Sequence, residues 1–240
     1  MKYLIANLKM NLTYSESENY IKKIENAYQQ SEVNGNVQLG MAFSYDAISL
    51  SNKCKKRSFW LGSQNIGHKI QGALTGEVSI RSAEELGLDF VIIGHSERRL
   101  WFNENNELIN QKLALVEKTN LKAILCIGEN HEEFSSGRTE EVIKNQLAAA
   151  LKNVNIFDKL LISYEPVYCI GNGVIPEKEH IQKIVNLIHS LTNKNIPILY
   201  GGSVCQANIL EIKEIENLSG FLVGTAAIKA EDFIELSKAL

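Results

Sequence analysis

The sequence predicts an α/β fold, a closed eight-stranded parallel (β/α)8 barrel, and three observations predict it. Eight short, almost uninterrupted apolar runs recur along the 240 residues, the pattern of strands buried on both faces. Longer segments of helical period separate them, at about thirty residues per strand–helix unit, which suits a closed barrel better than an open sheet. The dinucleotide fingerprint of an open doubly wound sheet is missing: GNGVIP lacks the third glycine and follows the sixth apolar run instead of the first.

In chain order, the first run is YLIANLK from Tyr3. SESENYIKKIENAY follows as an amphipathic helix, with Ser15 or Ser17 as N-cap and Tyr20, Ile21, Ile24 and Tyr28 as its apolar stripe. VQLGMAF from Val37, FWLGSQN from Phe59 and FVIIG from Phe90 are the next three strands. NNELINQKLALVEK reads as a helix, LKAILCIG from Leu121 as the fifth strand, and EEVIKNQLAAAL as a second helix of the same kind. KLLISYE from Lys159 is the sixth strand. In PEKEHIQKIVNLIHSL the residues Ile181, Ile184, Val185, Ile188 and Leu191 share one face, Pro176 suits the first turn, and acids crowd the start. IPILYGG from Ile196 and GFLVG from Gly220 complete the eight strands. No linker, low-complexity run or repeat interrupts the pattern, so residues 1–240 are expected to form one domain.

Composition narrows the function. With 45% hydrophobic and 22% charged residues the chain is neither disordered nor fibrous. A formal net charge of −3 argues against a nucleic-acid footprint, although a small anionic ligand needs only a local site. No run approaches the roughly 18 apolar residues of a membrane span, and MKYLIANLKMN turns polar too soon for a secretory signal. A cytoplasmic location is expected. Cys54, Cys126, Cys169 and Cys205 are widely separated and read as reduced thiols. His68, His95, His131, His180 and His189 show no ligand spacing, so neither a metal nor a cofactor is expected.

In a parallel barrel, reacting groups stand at the C-terminal strand ends. The first run ends in Asn7 and Lys9, the fourth in His95 and the sixth in Glu165; the last two end in the glycine-rich YGGSV and VGTAA. A carboxylate closing an apolar strand is costly to desolvate and needs a partner or a task. Glu165 stands where a reacting group would stand, in a pocket with a cation, an imidazole and backbone donors. A carboxylate placed there can serve as a base, and burial strengthens it in that role. His95 precedes Ser96 and Glu97, which read as the first turn of a helix, an end that disfavours a second positive charge on the ring. Lys9 offers a cation and Asn7 an amide donor.

The strings NLKMN, LGSQNIG, GALTGEVS, IIGHSERR, CIGE, SYEPVYCIGNG, YGGSV and GFLVG, in that order along nearly the whole chain, resemble the triosephosphate isomerase family. The resemblance implies a TIM barrel that interconverts dihydroxyacetone phosphate and glyceraldehyde 3-phosphate, and the family's established pairing of a glutamate base with a neutral imidazole. It implies that Glu97 pairs with Lys9, that Ile170 and Leu222 clamp Glu165, and that backbone N–H groups at Gly171, Ser203, Gly224 and Thr225 hold the phosphate. Pro166, Val167, Tyr168, Cys169, Ile170, Gly171, Asn172 and Gly173 correspond to a lid, which Tyr200 and Ser203 hold shut. The loop NIGHKIQGALTGEVS, residues 65–79, corresponds to one that enters a partner's pocket, with Thr75 reaching the second site, which implies a homodimer.

Leu8, Tyr168, Cys169, Asn172, Cys205 and Thr225 depart from the family pattern. Thr225 matters most, because a β-branched residue tolerates a glycine turn only with negative φ. Two rival readings are a Schiff-base aldolase using Lys9 as nucleophile and a catalytically silent barrel. Asn7, Lys9, His95 and Glu165 are all present, which disfavours the silent barrel.

Overall fold

The computed structural model describes residues 1–169, 175–192 and 195–240. The lid positions Ile170, Gly171, Asn172 and Gly173 lie outside the described residues. Eight parallel strands close into a barrel in sequence order: β1 (Lys2–Asn7), β2 (Val37–Phe43), β3 (Trp60–Ser63), β4 (Phe90–Ile93), β5 (Lys122–Ile127), β6 (Leu160–Tyr164), β7 (Ile198–Tyr200) and β8 (Leu218–Val223). Each coincides with one of the eight apolar runs. Helices α1 (Tyr14–Gln29), α2 (Ile80–Glu85), α3 (Ser96–Trp101), α4 (Asn106–Val116), α5 (His131–Ser135), α6 (Thr139–Ala150), α7 (Lys178–Thr192), α8 (Ile209–Ile212) and α9 (Ala230–Lys238) fill the connections, with a 3-10 turn, Ile48–Lys53, between β2 and β3.

The continuous apolar character of the strands has a direct cause. Alternate residues point inward and outward, and both sets are covered. The inward set, including Ile5, Phe90, Ile92, Ile124, Leu161 and Leu222, packs as a cluster inside the barrel. The outward set, including Leu4, Leu39, Val91, Leu125, Ile162 and Phe221, packs against the helices. Gly62 makes room for the largest inward ring, since a Cβ there would lie 2.5 Å from Phe90. Among the described residues no helix is long and apolar enough to cross a membrane.

Two local expectations are corrected. The N-cap of α1 is Thr13, not Ser15 or Ser17: the Glu16 N–H donates to Thr13 Oγ1 and the Glu16 carboxylate accepts from the Thr13 N–H, a reciprocal capping box. Glu18, which would complete the same motif from Ser15, is engaged by Lys22 and Lys53, and Ser17 is buried within the helix. On α7, Leu191 is exposed, and the buried row runs Ile181, Ile184, Val185, Ile188, Thr192. The Thr192 hydroxyl bonds the Ile188 carbonyl, so the row continues at a spacing of four and leaves Leu191 outside.

A buried ion pair ties the loop after α3 to α4. Lys112 Nζ lies 2.7 Å from Glu104 Oε2 and donates to Asn65 Oδ1 at 2.7 Å, while Arg98 Nε donates to Glu104 Oε2 at 2.6 Å. Burial alone would raise Glu104, but Lys112 and Arg98 outweigh it and hold the carboxyl below its ordinary value. Burial lowers Lys112, and Glu104 recovers only part of that. The two shifts pull stability in opposite senses, so the net worth of the pair is smaller than the cost of removing one member. Lys112→Ala is expected to lower unfolding free energy by about 3 kcal/mol, because it strands a buried carboxylate. Because Glu104 is lowered on folding, its contribution is present above the ordinary glutamate value and is lost as the pH falls through the folded one. Urea denaturation at neutral and acidic pH checks both: an unchanged midpoint at neutral pH would show that the pair is dispensable.

Candidate active site

Asn7, Lys9, His95, Glu165, Ser203, Gly224 and Thr225 come together on the wall of one cavity of about 310 Å³ at the C-terminal mouth of the barrel. They arrive on β1, β4, β6, β7 and β8, the strand ends where the topology converges. Leu222, at the inner end of β8, also lines it.

Glu165 follows β6 directly and is 2% exposed. Its N–H donates to the Ile127 carbonyl at 2.8 Å, which extends the β5–β6 ladder by one residue and fixes the backbone. Its Oε2 accepts from the Ser96 N–H at 3.2 Å, and its Oε1 has no hydrogen-bond partner among the described residues. Two glycines allow this position. A Cβ on Gly128 would lie 1.8 Å from the Glu165 carbonyl oxygen, and one on Gly201 would lie 2.7 Å from Glu165 Cγ and 2.6 Å from Ser163 Oγ. Burial and the adjacent Glu165 carboxylate push the Cys126 thiol well up, so a neutral thiol stands beside the acid.

His95 is the N-cap of α3, and its Nδ1 accepts from the Glu97 N–H at 3.2 Å. An accepting Nδ1 carries no proton, so this hydrogen bond assigns the ring proton to Nε2. Nε2 lies 3.7 Å from Glu165 Oε1. A donor and a carboxylate thus stand side by side, spaced to address neighbouring atoms of one ligand.

Lys9 has φ 50°, left-handed backbone in a residue with a side chain, and its N–H donates to Asn7 Oδ1 at 3.2 Å. Such a conformation costs of order 1–3 kcal/mol and persists only where the surroundings impose it. Lys9 Nζ lies 2.5 Å from Glu97 Oε1, the predicted pair, with both side chains part-exposed. Among the described residues it is the one Lys or Arg on the cavity wall. Thr225 opens a 3-10 turn, Thr225–Ala227, and does not have positive φ. Its β-branched side chain therefore carries no strain there.

Of the predicted lid, Pro166 to Cys169 are described, with Val167–Cys169 forming a 3-10 turn. The Ser203 hydroxyl donates to the Cys169 carbonyl at 2.6 Å. Tyr200 is fully buried, and its hydroxyl has no partner among the described residues. Sequence reasoning missed what lies beneath this turn. Glu129, fully buried, accepts from the Tyr164 hydroxyl at 3.0 Å, and His180 Nε2 lies 3.1 Å from that hydroxyl. The single Tyr164 proton goes to the carboxylate, so His180 donates to the Tyr164 oxygen. The available signal was an acid directly after an apolar run, the same signal that marked Glu165. Thr75 and its loop lie away from the cavity wall. No cluster of three side chains able to hold a metal ion occurs among the described residues.

Comparison with known proteins follows the same lines. Residues 2–240 match the family model described as triosephosphate isomerase. The chain is 37% identical over 239 residues to the triosephosphate isomerase of Mycoplasma mobile, covering 99% of both chains. It is 38% identical to that of Mycoplasmopsis pulmonis, covering 97% of this chain and 95% of the other. To that of Finegoldia magna it is 39% identical, covering 98% and 97%.

Gly201→Ala is expected to push the Glu165 carboxylate off its seat on Ser96 and to cost about 1–3 kcal/mol from overpacking. A crystal structure and a denaturation curve of the variant check this. An undisplaced carboxylate with unchanged stability would show slack where the contact distances indicate none.

Proposed function

The chain belongs to the triosephosphate isomerase family and is an isomerase of triose phosphates, and from that premise we propose that the buried Glu165 carboxylate performs the proton transfer. The substrate seats its phosphate at the glycine turns, against the backbone of Ser203, Gly224 and Thr225, with Gly171 supplying a further amide from the lid. Its carbonyl oxygen faces His95 Nε2–H, and its carbon-bound proton faces Glu165.

The single observation that carries this reading is the 3.7 Å approach of His95 Nε2 to Glu165 Oε1 inside a cavity walled by Lys9 and two glycine turns. The carboxylate exchanges its Ser96 N–H for the substrate C–H, abstracts the proton from one carbon and returns it to the next. The imidazole, whose Nδ1 is already engaged, donates through Nε2 to the oxygen on which charge develops. Removing one such donor typically costs about 2.7–4 kcal/mol of barrier. Lys9 adds a cation in a water-poor site, paired with Glu97, and Asn7 fixes the Lys9 backbone through Oδ1. Lid closure by residues 166–173 excludes water and opposes loss of phosphate from the enediolate. No step requires a cofactor. The unbroken sets of packed side chains inside and outside the strands support reading residues 1–240 as one domain.

Glu165→Gln is expected to lower kcat by about 10²–10⁴-fold. In deuterated buffer with EDTA, the natural chain should convert dihydroxyacetone phosphate to the aldehyde and place deuterium on carbon. Both effects should fall together in the variant; deuterium uptake that survives intact would remove Glu165 from the mechanism.

We further propose a homodimer formed through loop 65–79, with Thr75 reaching the partner's site. Met10, Ile70, Leu100, Trp101 and Phe102 are exposed apolar side chains, the kind that association surfaces gather. Arg98 links Phe102 to the loop by lying 3.4 Å from Glu77 and 4.8 Å over the Phe102 ring. Sedimentation at micromolar concentration should give a dimer, and Trp101→Glu should shift it towards monomer with loss of activity. A fully active monomer would overturn the arrangement.

A further inference from the structure

A second cavity, of about 620 Å³, opens between the N-terminal ends of α6 and α7 beside α5, twice the volume of the one at the barrel mouth. It falls in the size range of small-molecule sites, and nothing in the proposed reaction uses it. Its walls carry three cations, Arg138, Lys144 and Lys183, against two carboxylates, Glu140 and Glu141.

The cations are held loosely. Glu140 serves two of them, 2.9 Å from Lys183 Nζ and 3.7 Å from Lys144 Nζ, while Arg138 lies 3.5 Å from Glu132. All these side chains are substantially exposed, and ion pairs of that kind are worth about 0–1 kcal/mol each. A singly charged ligand offers little more than Glu140 already does. A ligand with two or more negative charges engages all three cations at once, with charge-assisted hydrogen bonds. At the same place Arg138 caps α6 without a side-chain hydrogen bond, so the first turn of this twelve-residue helix adds its dipole in the same sense.

The remaining wall leads to the lid. Phe134 lines the cavity and stacks on Tyr168 with ring centroids 4.1 Å apart and planes at 22°. The edge of His180, also on the wall, meets the same Phe134 ring at 5.5 Å, and its Nε2 reaches Tyr164. Tyr168 sits within the turn that begins the lid. An occupant of the cavity is therefore one ring away from the hinge.

We propose that this cavity is a second anion site, taking a compact phosphate compound of two or more charges, such as a pyrophosphate or bisphosphate, and that its occupancy is felt at the lid through Phe134 and Tyr168. The binding claim stands independently of the catalytic roles assigned above.

The test is a calorimetric titration of pyrophosphate into the full chain at constant ionic strength. The mouth site is first filled with 2-phosphoglycolate, a carboxylate mimic of the enediolate. One further site per chain is expected. Arg138→Ala combined with Lys183→Ala should weaken it by about tenfold or more. Glu140→Gln, which releases Lys144 and Lys183, should tighten it by about threefold. Absence of binding to the filled chain, or affinity indifferent to both variants, overturns the site. For the coupling, pyrophosphate should change kcat at saturating substrate in the natural chain. Phe134→Leu should abolish that change even at pyrophosphate concentrations that saturate the variant's own site; an effect that persists in Phe134→Leu overturns the route through the ring stack.

Discussion

The C-terminal mouth of this barrel depends on one constraint: a carboxylate has been taken almost entirely out of water at the end of a strand, with a single backbone donor among the described residues to hold it. Removing such a group from water costs several kcal/mol even after relaxation, and one hydrogen bond from the Ser96 N–H offsets only part of it. The position survives because the backbone cannot yield. Glu165 is pinned to Ile127, and the Gly201 N–H donates to the Tyr164 carbonyl at 2.8 Å on the other side. The two neighbouring strand ends can come this close because each is followed by a glycine, Gly128 or Gly201. The barrel is thus a frame whose closure supplies the rigidity that a lone carboxylate lacks.

The same economy explains the groups around it. His95 caps a helix with its own ring, so the bond that stabilises α3 also selects which nitrogen faces Glu165. Lys9 occupies left-handed backbone, a strain that aims its ammonium at Glu97 and the cavity. Inference runs from these observed outliers to a role, and both converge on the one pocket that the glycine turns close.

How much of this was legible in the sequence follows from where the physical signal resides. The eight strands could be read because burial on both faces leaves an uninterrupted apolar run, and their ends could be read because a polar residue there breaks it. Asn7, Lys9, His95 and Glu165 were found in this way. The cap of α1 was missed because Thr13 and Ser15 each precede a glutamate by three residues, and the shorter of the two ion pairs that engage Glu18 comes from the distant Lys53. Leu191 was misplaced because the stripe on α7 allows two continuations, and the packing below it selects Thr192. The Glu129–Tyr164–His180 chain joins three strand and helix ends across 51 positions, from 129 to 180, and no local periodicity records such a meeting. Neither is there any sequence signature for Gly128 and Gly201 as spacers, since their role is the absence of an atom beside a particular neighbour.

Four buried polar atoms without a hydrogen-bond partner among the described residues lie at the ends of β5, β6 and β7: Ser163 Oγ, Glu165 Oε1, the Tyr200 hydroxyl and Glu129 Oε2. Buried polar groups are nearly always satisfied, and each exception costs about 1–3 kcal/mol. An apolar residue at any of these positions would carry no such cost. The turn after Glu165 is tied down, with the Val167 N–H on the Glu129 carbonyl and the Ser203 hydroxyl on the Cys169 carbonyl, so the proposed lid starts from a fixed base. Tyr200 stands ready as a donor, since burial keeps its phenol protonated, and Glu165 Oε1 stands ready as an acceptor. On the proposed mechanism, the free energy withheld in this arrangement is returned when substrate and lid meet these groups, which lowers the barrier to closing without tightening the open state.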